Sequence, residues 1–201
     1  MFAAELLAEL ERRVRAVAAG RSTRLIAIDG CGGSGKSTLA RQLASVLPAS
    51  SVVEFDDFYL PSADRRERAR RGDREIGGDF DWRRLRDQVL EPLASGAPCR
   101  YRRHDWERDE PGVQATVPAS EVVIVEGSYV TRPELRGYFD LTIWVEAPRE
   151  LRLERGLERD GEAARERWLG DWMPEEDRYV AVQRPADRVD IVVDGSGAQV
   201  P

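Results

Sequence analysis

The stretch IDGCGGSGKST, residues 28–38, decides the fold. Within it Gly30, Gly35, Lys36 and Ser37 satisfy the pattern G-x-x-x-x-G-K-[ST], with the apolar run RLIAID (24–29) directly before it and a helical pattern (36–47) directly after. That context is what a phosphate-binding loop requires. Glycines at 30, 32, 33 and 35 let backbone amides converge on phosphate oxygens, and the positive end of the following helix points at the same place. Gly30, Gly32, Gly33, Ser34, Gly35, Lys36, Ser37 and Thr38 are therefore expected to hold a nucleoside triphosphate, ATP in the first instance. Lys36 would bridge the β- and γ-phosphates and Ser37 would ligate Mg2+.

Outward from the loop, short Val- and Ile-rich runs recur: SVVEF (51–55), EVVIVEG (121–127), LTIWVEA (141–147) and RVDIVVDG (188–195). Helical patterns over 36–47, 81–95, 149–169 and 174–184 separate them. Buried strands alternating with helices predict an α/β domain of the P-loop NTPase fold: a parallel five-stranded sheet with helices on both faces. A length of 201 residues fits one such domain, with a small lid near 152–172. Residues 61–79 are charged and lack apolar periodicity, which reads as a mobile surface excursion; 97–120 carries aromatics, arginines and turn-forming prolines, which reads as a short hairpin. Both insertions, 61–80 and 97–120, are expected to overhang an acceptor pocket.

Bulk properties narrow the partners. The net charge of −6 argues against nucleic acid, whose phosphate backbone needs a basic surface. No apolar run reaches the roughly 18 residues of a spanning helix, so no membrane partner is expected. The N-terminal apolar residues Leu6, Leu7, Leu10, Val14 and Val17 recur at helical spacing among acids, predicting an amphipathic helix that ends at Gly20 rather than a targeting segment. Two cysteines, Cys31 and Cys99, one of them inside the phosphate loop, suit a reducing cytoplasm. Of 31 basic residues only Lys36 is a lysine, at the position where the loop calls for a flexible ammonium. Homo-oligomerisation is left open.

The second strand runs into EFDDFYLP (54–61), which places two carboxylates and an aromatic pair at the carboxyl edge of the sheet, where open α/β sheets bind ligands. The chain resembles the uridine kinase-like family of P-loop kinases, through IDGCGGSGKST, FDDFY, GGDFDW (77–82), HDW (104–106), VIVEGSY (123–129) and RLERGLERD (152–160). The resemblance implies Asp56 as catalytic base and Tyr59 against the acceptor, with Phe80 and Asp81 in the Phe-Asp segment whose aspartate grips ribose hydroxyls. It further implies Trp106 stacking on a base, Glu126 near Mg2+, and Arg152, Arg155 and Arg159 on a lid helix. The family's histidine after the stacking aromatic is missing, and the only histidine, His104, comes two residues before Trp106; it is placed with the acceptor.

Arg152, Arg155 and Arg159 fall three and four apart, so they share a helix face and are expected to close over the transferring phosphate, Arg155 foremost. Trp168, Trp172 and Tyr179 read as packing rather than as a stacking platform. The arginines 65, 66, 68, 70, 71 and 74, interleaved with Asp64, Glu67, Asp73 and Glu75, read as a solvated surface; turned inward, they would suit an anionic acceptor. With one lysine the chain has no guanine-recognition Lys-x-Asp motif, and no Ser-Gly-Gly-Gln signature of a transport ATPase occurs. The reading is an ATP- and Mg2+-dependent kinase acting on a hydroxyl of a small molecule, a nucleoside first. A sugar phosphate, pantothenate, glycerate or nicotinamide riboside stands as alternative acceptor. An ATPase or switch module acting on a protein is the alternative of another class.

Overall fold

In this computed structural model the described residues are 1–17, 22–73 and 75–197. The helix end expected at Gly20 and the side chain of Arg74 lie outside them. The chain runs through α1 (Ala4–Ala16), β1 (Arg24–Asp29), α2 (Lys36–Val46), β2 (Ser50–Glu54), α3 (Ser62–Arg70), α4 (82–94), β3 (Cys99–Asp105), β4 (Glu110–Val117), β5 (Val122–Glu126), α5 (Pro133–Arg136), β6 (Leu141–Glu146), α6 (Arg149–Asp160), α7 (165–183) and β7 (Ile191–Asp194).

Five strands pair in parallel in the order β2-β5-β1-β6-β7, and β3 and β4 form a separate antiparallel hairpin. The runs are apolar throughout because both faces are covered. Leu25 and Ala27 of β1, with Val123 and Val125 of β5, pack beneath Trp82, Leu85 and Val89 of α4 and Tyr179 of α7. Ile26 and Ile28, alternating with them, pack with Ile124 and Ile143 against Leu10 and Val14 of α1 and Leu39 and Leu43 of α2. The expected sheet with helices on both faces is present. Its register sets Glu54 of β2 and Ile28 of β1 on either side of Glu126, so acidic strand ends gather beside the phosphate loop.

Three expectations need correction. Residues 61–79 are not a structureless excursion: Ser62–Arg70 is helical although none of its residues is buried. Its order comes from its flanks and its own charges. Ser62 N–H donates to Asp109 at the hairpin tip (2.8 Å), and Arg70 and Arg71 reach back to Glu67 (2.6 and 3.0 Å). The helix predicted over 149–169 stops at Asp160, because Gly161 adopts a left-handed φ of 85°. Nor does the chain break before Pro174. A widened turn over 168–172 carries the helix past the missing proline donor, so 165–183 runs on. Among the described residues no helix is long and apolar enough to cross a membrane, and Cys31 and Cys99 are free and buried.

Candidate active site

The phosphate loop is fixed from below by Asp29, the last residue of β1. Its buried carboxylate accepts from Gly30 N–H (2.7 Å), Tyr129 N–H (3.0 Å), the Thr131 N–H and hydroxyl (2.8 and 2.6 Å) and the Tyr179 hydroxyl (2.7 Å). The Ser128 hydroxyl donates to the Gly30 carbonyl at 3.0 Å, so the turn after β5 and the start of the loop move as one piece. Gly33 takes a left-handed φ of 76°, and a Cβ there would stand 2.3 Å from the Arg152 carbonyl. Gly35, also left-handed at 101°, opens α2, whose first residues Lys36, Ser37 and Thr38 line the groove above the sheet.

Glu126 sits at the centre of that groove. Burial first, and the charge of Asp56 second, push its carboxyl up to about 7, while Lys36 and the Ser37 hydroxyl lower it. Its Oε2 is buried without a hydrogen-bond partner. An orphaned carboxylate oxygen beside a serine hydroxyl is the donor set a hard cation takes, and Mg2+ completes its shell with water and phosphate rather than a protein cage. Glu126 and Ser37 therefore suit Mg2+.

Two aspartates follow β2, and they differ. Asp57 is buried, accepts from the Tyr101 hydroxyl (3.1 Å) and lies 3.5 Å from Arg103; burial raises its carboxyl above the ordinary range. Asp56 is exposed to the groove, and its carboxylate accepts no hydrogen bond from the described residues.

On the acceptor side Tyr59, Phe80 and Trp106 come together and line the groove. Trp106 stacks on Tyr59 at 5.0 Å, and Phe80 meets Tyr59 edge-on at 5.0 Å. Asp81 and His104 do not join the lining. Asp81 accepts from Arg84 N–H at 3.1 Å as the N-cap of α4, the ordinary role of an aspartate before a helix. His104 is buried behind the stack, edge-on to Trp106 at 4.7 Å and 3.7 Å from Asp109; burial lowers its pKa. Among the carboxylates lining the groove near the aromatic stack are Asp79, which accepts from the Tyr59 hydroxyl at 3.2 Å, and Glu75, which accepts from Trp82 Nε1 (2.7 Å) and Arg132 (2.6 Å). Asp79 has no role assigned from the sequence and Glu75 reads there as part of a solvated surface; only the chain's path separates them from Asp81. Arg65, Arg66 and Arg68 of α3 also line the groove, unlike the solvated face expected of them, whereas Arg70 and Arg71 stay on Glu67.

The lid arginines do not act as one face. Arg152 is buried in an ion pair with Glu176 (2.9 Å) and does not reach the groove. Arg155 donates to the carbonyls of Gly33 (3.3 Å), Gly195 (2.8 Å) and Ser196 (3.1 Å), stapling the phosphate loop to the turn after β7. Arg159, paired with Asp160 at 2.7 Å, is the one whose charge feels Asp56 and Glu126. Trp168 and Tyr179 are buried packing residues as expected, but Trp168 also shows an edge to the groove, and Trp172, expected to pack, lines it as well. Glu176 is a further residue the sequence did not flag: it accepts from Gly32 N–H at 2.5 Å.

The groove encloses about 1650 Å3, more than one small ligand fills, and so has room for a nucleotide and an acceptor together. The chain is 27% identical over 139 residues to the uridine kinase of Borreliella burgdorferi strain ZS7, covering 68% of this chain and 67% of that one. It is likewise 27% identical over 147 residues to the uridine kinase of Ureaplasma parvum, covering 70% of each. A structure of a possible uridine kinase from Bacillus stearothermophilus superposes with a TM-score of 0.72 at 25% identity, over 94% of this chain and 98% of the other. The model of the Phosphoribulokinase / Uridine kinase family matches residues 25–194, and the chain belongs to that family of small-molecule kinases.

Proposed function

We propose that this kinase transfers the γ-phosphate of ATP to a hydroxyl of a nucleoside. The observation that carries the transfer is the meeting of Lys36, Ser37, Glu126 and the unpartnered Asp56 in one groove. Asp56, and not its neighbour Asp57, has a free carboxylate to orient the acceptor hydroxyl and take its proton. Lys36 binds the β- and γ-phosphates, and Ser37 and Glu126 hold Mg2+, which supplies charge neutralisation on the phosphoryl oxygens when bound. Arg159 is the lid guanidinium assigned to the transferring group; Arg155 also lines the groove while bound to loop carbonyls, and Arg152 shapes the site from behind.

The nucleoside is supported by a flat aromatic surface, Trp106 over Tyr59, and by two carboxylates, Glu75 and Asp79, able to accept from sugar hydroxyls. One observation favours a second reading. Arg66 lines the groove with no partner among the described residues, and with Arg65 and Arg68 it would suit an acceptor that already carries phosphate or carboxylate. An acceptor screen coupled to ADP formation separates the two. Turnover with uridine or cytidine supports the first; turnover only with pentose phosphates, glycerate or pantothenate replaces it with the second. ADP formation indifferent to every acceptor would remove the kinase reading in favour of an ATPase.

A further inference from the structure

A glycine-rich loop loses more conformational freedom on ordering than any other segment, so its amides need something to hold them before a ligand arrives. In this protein a side chain from another element supplies a hold. Glu176, on α7, is 5% exposed, and unlike the equally buried Glu126 it has both oxygens engaged, which offsets the cost of burying its charge. Its Oε1 accepts from Gly32 N–H at 2.5 Å with the Ser128 hydroxyl at 3.5 Å, and its Oε2 accepts from Arg152 of α6 at 2.9 Å.

The surrounding fit leaves the loop little choice of path. Trp168, also on α7, fills the space beside Gly32, where an added Cβ would stand 2.8 Å from its ring. The same indole lies against Gly156 of α6, at 2.4 Å from a Cβ there. Both sides of the contact lack a Cβ so that the ring can sit between loop and helix. Because Arg152 neutralises Glu176 at close range, the carboxylate can stand beside bound phosphates without a strong repulsive field.

We infer that Glu176 is a positioning residue for phosphotransfer: it fixes the Gly32 amide, and through Arg152 it locks the phosphate loop to α6 and α7. The inference rests on the MgATP reading above and assigns the group that pre-orders the loop for it. A pre-ordered site loses less entropy when it binds. Removing the tie should weaken ground-state and transition-state binding alike, which raises KM with little change in kcat.

The test uses the whole chain with Glu176→Ala, Glu176→Gln and the double variant Arg152→Met, Glu176→Ala, which removes the buried charges together so that neither is left unpaired. Hydrogen exchange of the peptide spanning residues 30–35 is followed without nucleotide, and KM and kcat for MgATP are measured per folded molecule. In Glu176→Ala and the double variant, exchange should quicken and KM for MgATP should rise about tenfold with kcat within about twofold. Glu176→Gln keeps an acceptor oxygen for Gly32 and should return KM to within about threefold of the parent. A lowered melting temperature with unchanged exchange and KM would make Glu176 merely structural, and tighter MgATP binding would make it a competing anion; either overturns the inference. A parent protein without affinity for MgATP defeats the kinase reading instead, and the exchange arm still decides the tie.

Discussion

The two walls of the groove are built by opposite means. On the nucleotide side, side chains fix the backbone: the buried Asp29 gathers five donors between 2.6 and 3.0 Å, and the half-buried Arg155 takes three carbonyls between 2.8 and 3.3 Å. On the acceptor side, α3 buries nothing. It leans on Arg65 to the Leu60 carbonyl (3.1 Å), Arg68 to the Gly78 carbonyl (3.0 Å) and a single bridge between Tyr59 and Phe80. Five donors converging on one buried carboxylate in a low-dielectric interior hold one geometry, whereas a helix with no buried residue, tied down by a few half-buried guanidinium contacts, exchanges more readily with water. The difference teaches a division of labour, in which the wall for the triphosphate is rigid and the wall for the acceptor can be re-cut without disturbing it.

The largest effect should come from the residue that stands between the walls. Asp56→Asn should lower kcat by about 10²–10⁴ while direct titration still shows MgATP binding; turnover near the parent's would move the base elsewhere. Next is pH. Glu126 ionises near 7 in the folded protein and near 4.5 when unfolded, so the stability it contributes as a neutral acid is complete below 4.5 and is lost as pH rises through 7. Metal binding needs the ionised form, so kcat/KM for MgATP should fall below pH 7, and the limb should shift to lower pH as Mg2+ is raised. A limb indifferent to Mg2+ would detach Glu126 from the cation.

Smaller effects probe each wall alone. Gly32→Ala should cost about 1–3 kcal/mol through its clash with Trp168, read as a melting temperature lower by several degrees. On the other wall, Trp106 is 56% exposed, so Trp106→Ala should leave melting unchanged and raise only the acceptor KM, by about three- to tenfold. A rise in the MgATP KM would show that the walls are not independent. Least of all, Arg66→Ala should alter stability by less than about 0.5 kcal/mol and should matter to turnover only when the acceptor is an anion.

The rigid wall was also the legible one. The phosphate loop, its flanking strand and helix, and the alternation of buried strands are local patterns, written in contiguous residues whose period or glycine spacing has one structural meaning. Asp56, Tyr59 and Glu126 reach the groove because they sit at or just beyond strand ends, which the pattern of strands already locates, whereas Phe80 and Trp106 are placed by the family resemblance. What could not be read depends on direction rather than spacing. Asp79 and Asp81 are two residues apart, yet one accepts from Tyr59 and the other caps a helix. Arg152, Arg155 and Arg159 share a helical face by arithmetic, but an acid on α7 claims the first and loop carbonyls claim the second. α3 lacks the apolar periodicity by which helices are recognised, because it packs nothing and is held at its ends.

Lys36 is the one lysine of the sequence, 8% exposed at the head of α2 and facing the groove. The protein's side chains therefore offer a single ε-amine for acylation, located where the phosphates are expected. Covalent labelling of that amine, counted as a mass increment on one peptide, would track occupancy of the loop without the overlapping signals that lysine-rich enzymes produce.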